Sequence, residues 1–261
     1  MSITRRNQEE VEVLIHSQYR NSPSTTNHTN FTYTLDREIS RVSEIKIGSI
    51  HIPYSFYAIN SNNNKLYFTG VGDTTIPVGN YTISTMTAAL TAAMTTLLGG
   101  SPTATYNSTT NKYTLDSNGA AFVVDTVSEN NIAYAIGFET TTMSATSHTG
   151  DAVVDISGPK HLVLKSSILT QFVAEKNITA SALAAIYTTN TGVSDNIMHT
   201  IPINAQPSGI NLDIASSANS IRMNKLMKFQ SNIDFRVEDD EGNLLDLNGK
   251  EWSVKLFFRV R

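Results

Sequence analysis

Six histidines, His16, His28, His51, His148, His161 and His199, are the side chains of this sequence whose ordinary titration range suits a general base. There is no cysteine, which removes disulfides, thiolate zinc sites and cysteine nucleophiles together. They stand far apart, with no HExxH or His-x-His spacing to bring two onto one ion. Each reads as a polar strand or loop residue, and only convergence of distant strands would give a shared metal site. A serine nucleophile fares no better, because no G-x-S-x-G elbow is present and the serines sit in turn-like contexts. The glycine-containing stretches GVGDTT and LLGGSPT do not end in Gly-Lys-Ser/Thr, so neither is a phosphate cradle.

Carboxylates offer three further chemistries. Glu238, Asp239, Asp240 and Glu241 precede Gly242, which suggests a calcium loop, but the ligand register of such a loop is missing and a solvated hairpin tip explains the run. Asp36 and Glu38 lie two apart at a strand end, a weak echo of a glycosidase pair. Trp252 sits in an alternating strand, where core packing is the expectation over a sugar platform. Asn27, Asn30, Asn80, Asn107 and Asn177 each open an N-x-S/T triplet, as a chain this rich in Asn, Ser and Thr produces by chance. These residues predict no catalytic centre, no cofactor and no metal, and the chain reads as a non-enzymatic protein.

Composition narrows the class. The 261 residues are 40% hydrophobic, enough for a substantial core, but only 16% charged, against about 25% in soluble proteins generally. Ser, Thr and Asn fill the gap at roughly a third of the chain, which suits strands, turns and close surface packing. A net charge of −4 gives no electrostatic footprint for nucleic acid, with only Arg5 and Arg6 hinting otherwise. The lack of cysteine fits a reducing compartment. The opening MSITRRNQEEVEVLIH has no apolar signal run, and no window approaches a membrane span, so a soluble, unprocessed chain is expected.

The elements that must hold these residues are mainly strands. Residues 1–28 read as an arm containing Pro23, within which Val11, Val13 and Ile15 alternate like a strand awaiting a partner's edge. FTYTLDR alternates Phe31, Tyr33 and Leu35. In VSEIKIGSIHIP the parity shifts from Ile45 and Ile47 to Ile50 and Ile52 across Gly48, predicting a bulge there. KLYFTG is a third short strand. Met86, Leu90, Met94 and Leu97 then share a helical face that starts after a Ser84 cap and stops at Gly99 and Gly100. ATYNSTTNKYTLDS reads as a hairpin, AAFVVDTV as a strand and SENNIAYAIGF as a short helix.

Strands resume in GPKHLVLKSS, IMHTIPIN, GINLDI, NIDFRVED and EWSVKLFFRV, with a tight turn at Asn248–Gly249. ITASALAAIYTTN (178–190) is helix or connecting loop, and MNKLMKF (223–229) is ambiguous between a helical turn and a strand. The expected architecture is mainly β, a single eight-stranded jelly-roll sandwich with a small α+β insertion. Its domains would be an arm at 1–28, a jelly roll at 29–72 and 151–261, and an insertion at 73–150.

In succession, EIKIGSIHIPYSFYAINSNNNKLYF, GNYTISTMTAALTAAM, YNSTTNKYTL with AIGF, GPKHLVLKSS and EDDEGNLLDLNGKEWSVKLFF resemble the penton and minor capsid proteins of virophages and polinton-like double-stranded DNA viruses, from about residue 31 onward. The resemblance implies an upright jelly roll carrying an insertion, five copies of which close the icosahedral vertex among double jelly-roll major capsid protein capsomers. It implies location in the virion, assembly in the host cytoplasm, no membrane span and no direct nucleic-acid contact. Arg5, Arg6, Val11, Val13 and Ile15 of the arm are the expected partner-binding residues, and the insertion is the expected place for a host receptor. Another minor capsid role, or a receptor- or glycan-binding jelly roll, is the alternative. A β-sandwich hydrolase is the remaining reading, with little in the residues to support it.

Overall fold

The computed structural model describes residues 9–21, 28–170, 173–177, 196–214, 220–229 and 232–261. Arg5, Arg6 and the 178–190 segment lie outside these residues. The chain divides into two units, one built from residues up to Phe56 together with Pro159–Arg261, the other from Tyr57–Gly158.

In the first unit, the alternating Val11, Val13 and Ile15 form β1 (Glu9–His16) and turn toward the core, while Glu10, Glu12 and Leu14 face outward. Next come β2 (Asn30–Thr34) and the long β3 (Ile39–Pro53). The parity shift in β3 is real: Ile45, Ile47, Ile50 and Ile52 are all buried. The chain accommodates this with a bulge at Gly48. A Cβ on Gly48 would lie 2.5 Å from the Phe257 ring, so the glycine leaves room for that ring to lie over the strand.

The second unit contains β4 (Lys65–Phe68), β5 (Gly72–Thr75), α1 (Ile83–Leu98), β6 (Thr103–Asn107), β7 (Lys112–Asp116) and β8 (Ser147–Thr149). Met86, Leu90 and Met94 bury the predicted face of α1 against Leu66, Phe68, Tyr113 and Leu115. The helix starts at Thr82, two residues before the expected cap. There the Thr82 and Thr85 side chains each bond the other's backbone N–H, and this reciprocal box satisfies donors that Ser84 could not. Gly99, at φ 69°, ends it. The hairpin β6–β7 forms as read.

Back in the first unit, the chain runs through β9 (His161–Lys165), the four-residue α2 (Ser167–Thr170), β10 (Val173–Asn177), β11 (Ile197–Pro202), β12 (Ile210–Ile214), β13 (Ser220–Phe229), β14 (Asn232–Glu238) and β15 (Ser253–Val260). One sheet has the order β1-β15-β3-β13-β10, with β12 also on β3, and the other has the order β11-β9-β14-β2. All pairings in both are antiparallel. β12 pairs with Ser49–Pro53 and β13 with Ile39–Lys46, so they continue one another along one edge of β3 and together fill one strand position. Two four-position sheets, β1-β15-β3-β12/13 and β2-β14-β9-β11, with the chain passing between them, make a jelly roll of eight positions plus the extra edge strand β10. Its core lies between the sheets and includes Trp252, Phe235, Phe258, Ile45 and Leu164.

Four expectations need correction. Residues 9–20 are not a free arm. β1 pairs along its whole length with β15, Ile15 is fully buried, and Val11 and Val13 pack on the same core, because the inward alternation completes the sandwich of its own chain. KLYF belongs to the second unit, where it pairs with β5, so the division falls at 56/57 and 158/159 and not at 72/73 and 150/151. SENNIAYAIGF makes successive turns and no helix, since Asn130 (φ 57°) and Gly137 (φ 86°) break the helical path even though Ile132, Ala133 and Ile136 are buried. AAFVVDTV contributes only isolated bridges, Phe68 with Val124 and Phe122 with Ala145. The ambiguous 223–229 segment resolves as strand because β3 supplies its partners.

Candidate assembly surfaces

The histidines serve separate elements. His148 is buried in the second unit, where its Nε2 lies 2.9 Å from the Phe122 carbonyl oxygen. In the first unit, His16 Nδ1 accepts from the Gln18 N–H, His28 Nδ1 lies 2.9 Å from a Glu251 oxygen, and His161 Nδ1 is 4.0 Å from Asp240. His199 is buried on β11, and His51 is exposed. Among the described residues, no group of three or more His, Asp or Glu side chains is placed to hold a metal ion.

Asp36 and Glu38 are exposed in the β2–β3 connection, and Glu38 pairs with Lys228 at 2.9 Å. Trp252 is a core residue that packs on Phe31 and Phe235 and donates its Nε1–H to the His28 carbonyl oxygen at 2.7 Å. The acidic run is only partly a solvated tip. Glu238 ends β14 with its carboxylate buried between Lys165, at 2.5 Å, and Arg236. Asp239 accepts from the Glu241 and Asn243 backbone N–H groups and closes the turn at Gly242. Burial pushes the carboxyls of Asp239 and Glu241 upward; neighbouring carboxylates add to this, while hydrogen bonds from Asn243 oppose it.

A network that the sequence did not reveal closes the end of β1. The Glu251 carboxylate accepts from Ser17 Oγ and from Arg20 Nη1 at 3.1 Å, with His28 beside it. Ser17 in turn exchanges bonds with Trp252: its N–H donates to the Trp252 carbonyl oxygen and its Oγ accepts the Trp252 N–H, both at 2.9 Å. Burial, the largest single influence on Glu251, works to raise its carboxyl, but the Ser17, His28 and Arg20 hydrogen bonds outweigh it and hold the group below the usual range. Ser17 and Glu251 are 234 residues apart, so no local pattern announces the pair.

The outward face of the larger sheet carries crossed charges. Along one row the register places Glu10 beside Arg259, Arg259 beside Glu44, and Glu44 beside Arg222. Arg259 lies 2.5 Å from Glu44, Lys46 is 3.3 Å from Glu10, and Lys255 is 2.7 Å from Glu12. Each of these bases has a carboxylate neighbour, so the named charges offset one another within the patch. The outer edge of β1 is bordered by Glu9, Glu10 and Glu12, charges of the kind that discourage unregulated strand pairing. Elsewhere, Val127 and Met143 in the second unit stand 85% and 87% exposed, and Leu14 and Tyr19 in the first stand 58% and 68% exposed. No helix among the described residues is long and apolar enough to cross a membrane.

Fold and surface together define the class: a single jelly-roll protein with an α+β unit inserted between its third and fourth sandwich strands. Among solved structures, the chain is similar to the mavirus penton protein, at 14% identity over 97% of this chain and 99% of that one, with a TM-score of 0.48. It is also similar to a chain of the Sputnik virophage solved by cryo-electron microscopy, at 13% identity over 97% and 98%, with a TM-score of 0.46. No protein-family model matches the chain, and no curated protein sequence does.

Proposed function

We propose that this protein is a structural component of an icosahedral virus capsid, the penton whose five copies close the fivefold vertex and meet the surrounding major capsid protein capsomers. The observation that carries the reading is the interrupted jelly roll itself: a complete two-sheet sandwich with a separately cored unit inserted between β3 and β9. The ordered series of motifs that resembles virophage and polinton-like capsid proteins supplies the setting. A cyclic pentamer requires a heterologous interface, with one flank of each copy meeting a different flank of the next. A weakly charged surface rich in Ser, Thr and Asn favours such contacts, because desolvating hydroxyls and amides costs less than desolvating ions.

The location that follows is the virion, with assembly in the host cytoplasm, and the protein acts without catalysis. Of the proposed partner-binding residues, Arg5 and Arg6 keep that role as part of the segment preceding β1. Val11, Val13 and Ile15 do not, because their own sandwich uses them. Light scattering and sedimentation of the purified protein, together with capsid incorporation of a variant lacking residues 2–8, test the proposal. A concentration-dependent pentamer and reduced incorporation are expected. A protein that stays monomeric at all concentrations and incorporates normally without residues 2–8 would overturn it.

A further inference from the structure

The sequence contains two Asn-Gly pairs, Asn118–Gly119 in the inserted unit and Asn248–Gly249 in the sandwich, each in the form Asp-x-Asn-Gly. The two turns are built alike. Asp116 Oδ1 accepts the Asn118 N–H and Asp246 Oδ1 accepts the Asn248 N–H, both at 2.8 Å, and both asparagines sit at φ 49°. Each carboxamide also holds a backbone carbonyl oxygen of its own unit: Asn118 Nδ2 donates to that of Ser101 at 2.8 Å, and Asn248 Nδ2 to that of Ser55 at 2.5 Å. The glycines differ. The Gly119 N–H donates to Ser117 Oγ at 3.2 Å, and this buried hydroxyl is itself fixed, since it donates to the Thr146 carbonyl oxygen. In the second turn the Lys250 N–H bonds the Leu247 carbonyl oxygen, and among the described residues nothing takes the Gly249 N–H at the exposed tip.

This difference bears on a reaction that Asn-Gly pairs undergo unaided. The glycine nitrogen, giving its proton to solvent base, attacks Asn Cγ. The Cγ–Nδ2 bond breaks and ammonia leaves, which closes a five-membered succinimide. Water then opens the ring to aspartate or isoaspartate, with no change of oxidation state. Glycine permits the attack because no Cβ shields its nitrogen, but the nitrogen and Cγ must first come within about 3–3.5 Å. The carboxamide and the glycine N–H must therefore both be free to move. We propose that Asn248–Gly249 is a site of spontaneous deamidation in the folded protein, and that the Ser117 hydroxyl suppresses the same chemistry at Asn118–Gly119. The contact from Asn248 Nδ2 to Ser55 restrains the first pair, whereas the second is held at both its carboxamide and its nucleophile. Deamidation at 248 is self-reinforcing. The new carboxylate would face the Ser55 carbonyl oxygen, acceptor against acceptor, and isoaspartate would insert a methylene into the backbone of a tight turn.

The test uses the full chain. Folded wild-type protein, the folded Ser117→Ala variant and urea-unfolded samples of both are held in mildly alkaline buffer. Peptides carrying each pair are followed by mass spectrometry, with isoaspartate counted by enzymatic methylation. Folding should slow Asn118 more than it slows Asn248, by about fivefold or more, the weight of one ordinary hydrogen bond. Ser117→Ala should remove most of that gap by speeding Asn118 in the folded state, and it should leave the Asn248 rate unchanged. Equal slowing at the two sites, greater slowing at Asn248, or a gap that survives Ser117→Ala would overturn the proposal. The wild-type comparison decides it even if the variant does not fold.

Discussion

Replacing Ile15 with alanine separates two descriptions of the N-terminal region. If residues up to 28 formed an arm that orders only on a neighbour, truncating Ile15 would leave the isolated protein's stability untouched. In the structure, Ile15 is 0% exposed, opposite Val254 on β15, and two residues ahead of Ser17, whose hydroxyl bonds Glu251. Deleting a buried isoleucine to alanine costs about 2–5 kcal/mol, and an edge strand belongs near the middle of that span, at roughly 3 kcal/mol. With a urea dependence of about 2 kcal/mol/M, the midpoint should fall by about 1.5 M. Trp252 is the sole tryptophan and lies in the same core, so its fluorescence reports this unit directly. Leu14→Ala, outward on the same strand, should shift the midpoint by no more than about 0.3 M, since exposed substitutions stay within about 0.5 kcal/mol. An Ile15→Ala midpoint indistinguishable from wild type would refute the placement of β1 as a working strand of the sandwich.

Other outcomes follow from particular residues. The Glu251 carboxyl is held below its ordinary value, so its network stabilises the folded state above the unfolded glutamate range, near about pH 4.3, and that contribution is lost as pH falls through the lowered folded value. Glu251→Gln should therefore flatten the acid limb of stability against pH, measured by Trp252 fluorescence; an unchanged limb would contradict the assignment. Glu241 is pushed upward by burial and by Asp239 and Asp240, so its ionised form works against folding at neutral pH. Glu241→Gln should stabilise the protein at pH 7 by a few tenths of a kcal/mol, a gain that vanishes as pH falls through the raised value, as urea midpoints at two pH values would show. Gly137 has φ 86°, and a Cβ there would lie 2.5 Å from the Ala152 carbonyl oxygen, so Gly137→Ala should destabilise the inserted unit by about 2 kcal/mol or more, seen by calorimetry as a lowered transition.

Much of the fold was legible because it is written in local periodicity. The parity change around Gly48 predicted a bulge, and the spacing of Met86, Leu90 and Met94 predicted the buried face of α1. Partnership was harder to read. Alternation at Val11, Val13 and Ile15 identified a strand but not that its neighbour was β15, at the far end of the chain, and KLYF gave no sign of which sheet would take it. SENNIAYAIGF misled because its apolar spacing is helical while Asn130 and Gly137 take left-handed backbone angles that periodicity does not register. The Ser55–Asn248 contact and the Glu251 network were invisible for the same reason as β1's partner. Ser55 with Asn248, and Ser17 with Glu251, are ordinary polar residues until the sandwich brings them together.

The central claim is that this jelly roll closes a capsid vertex, and its most direct test is imaging of assembled particles by cryo-electron microscopy with density resolved at the symmetry axes. Five copies of the two-sheet sandwich at the fivefold axis, each with a second density for residues 57–158 and a contact to the neighbouring capsomers, are the expected result. Density for this chain only at threefold or interior positions, with a different protein at the vertex, would contradict it.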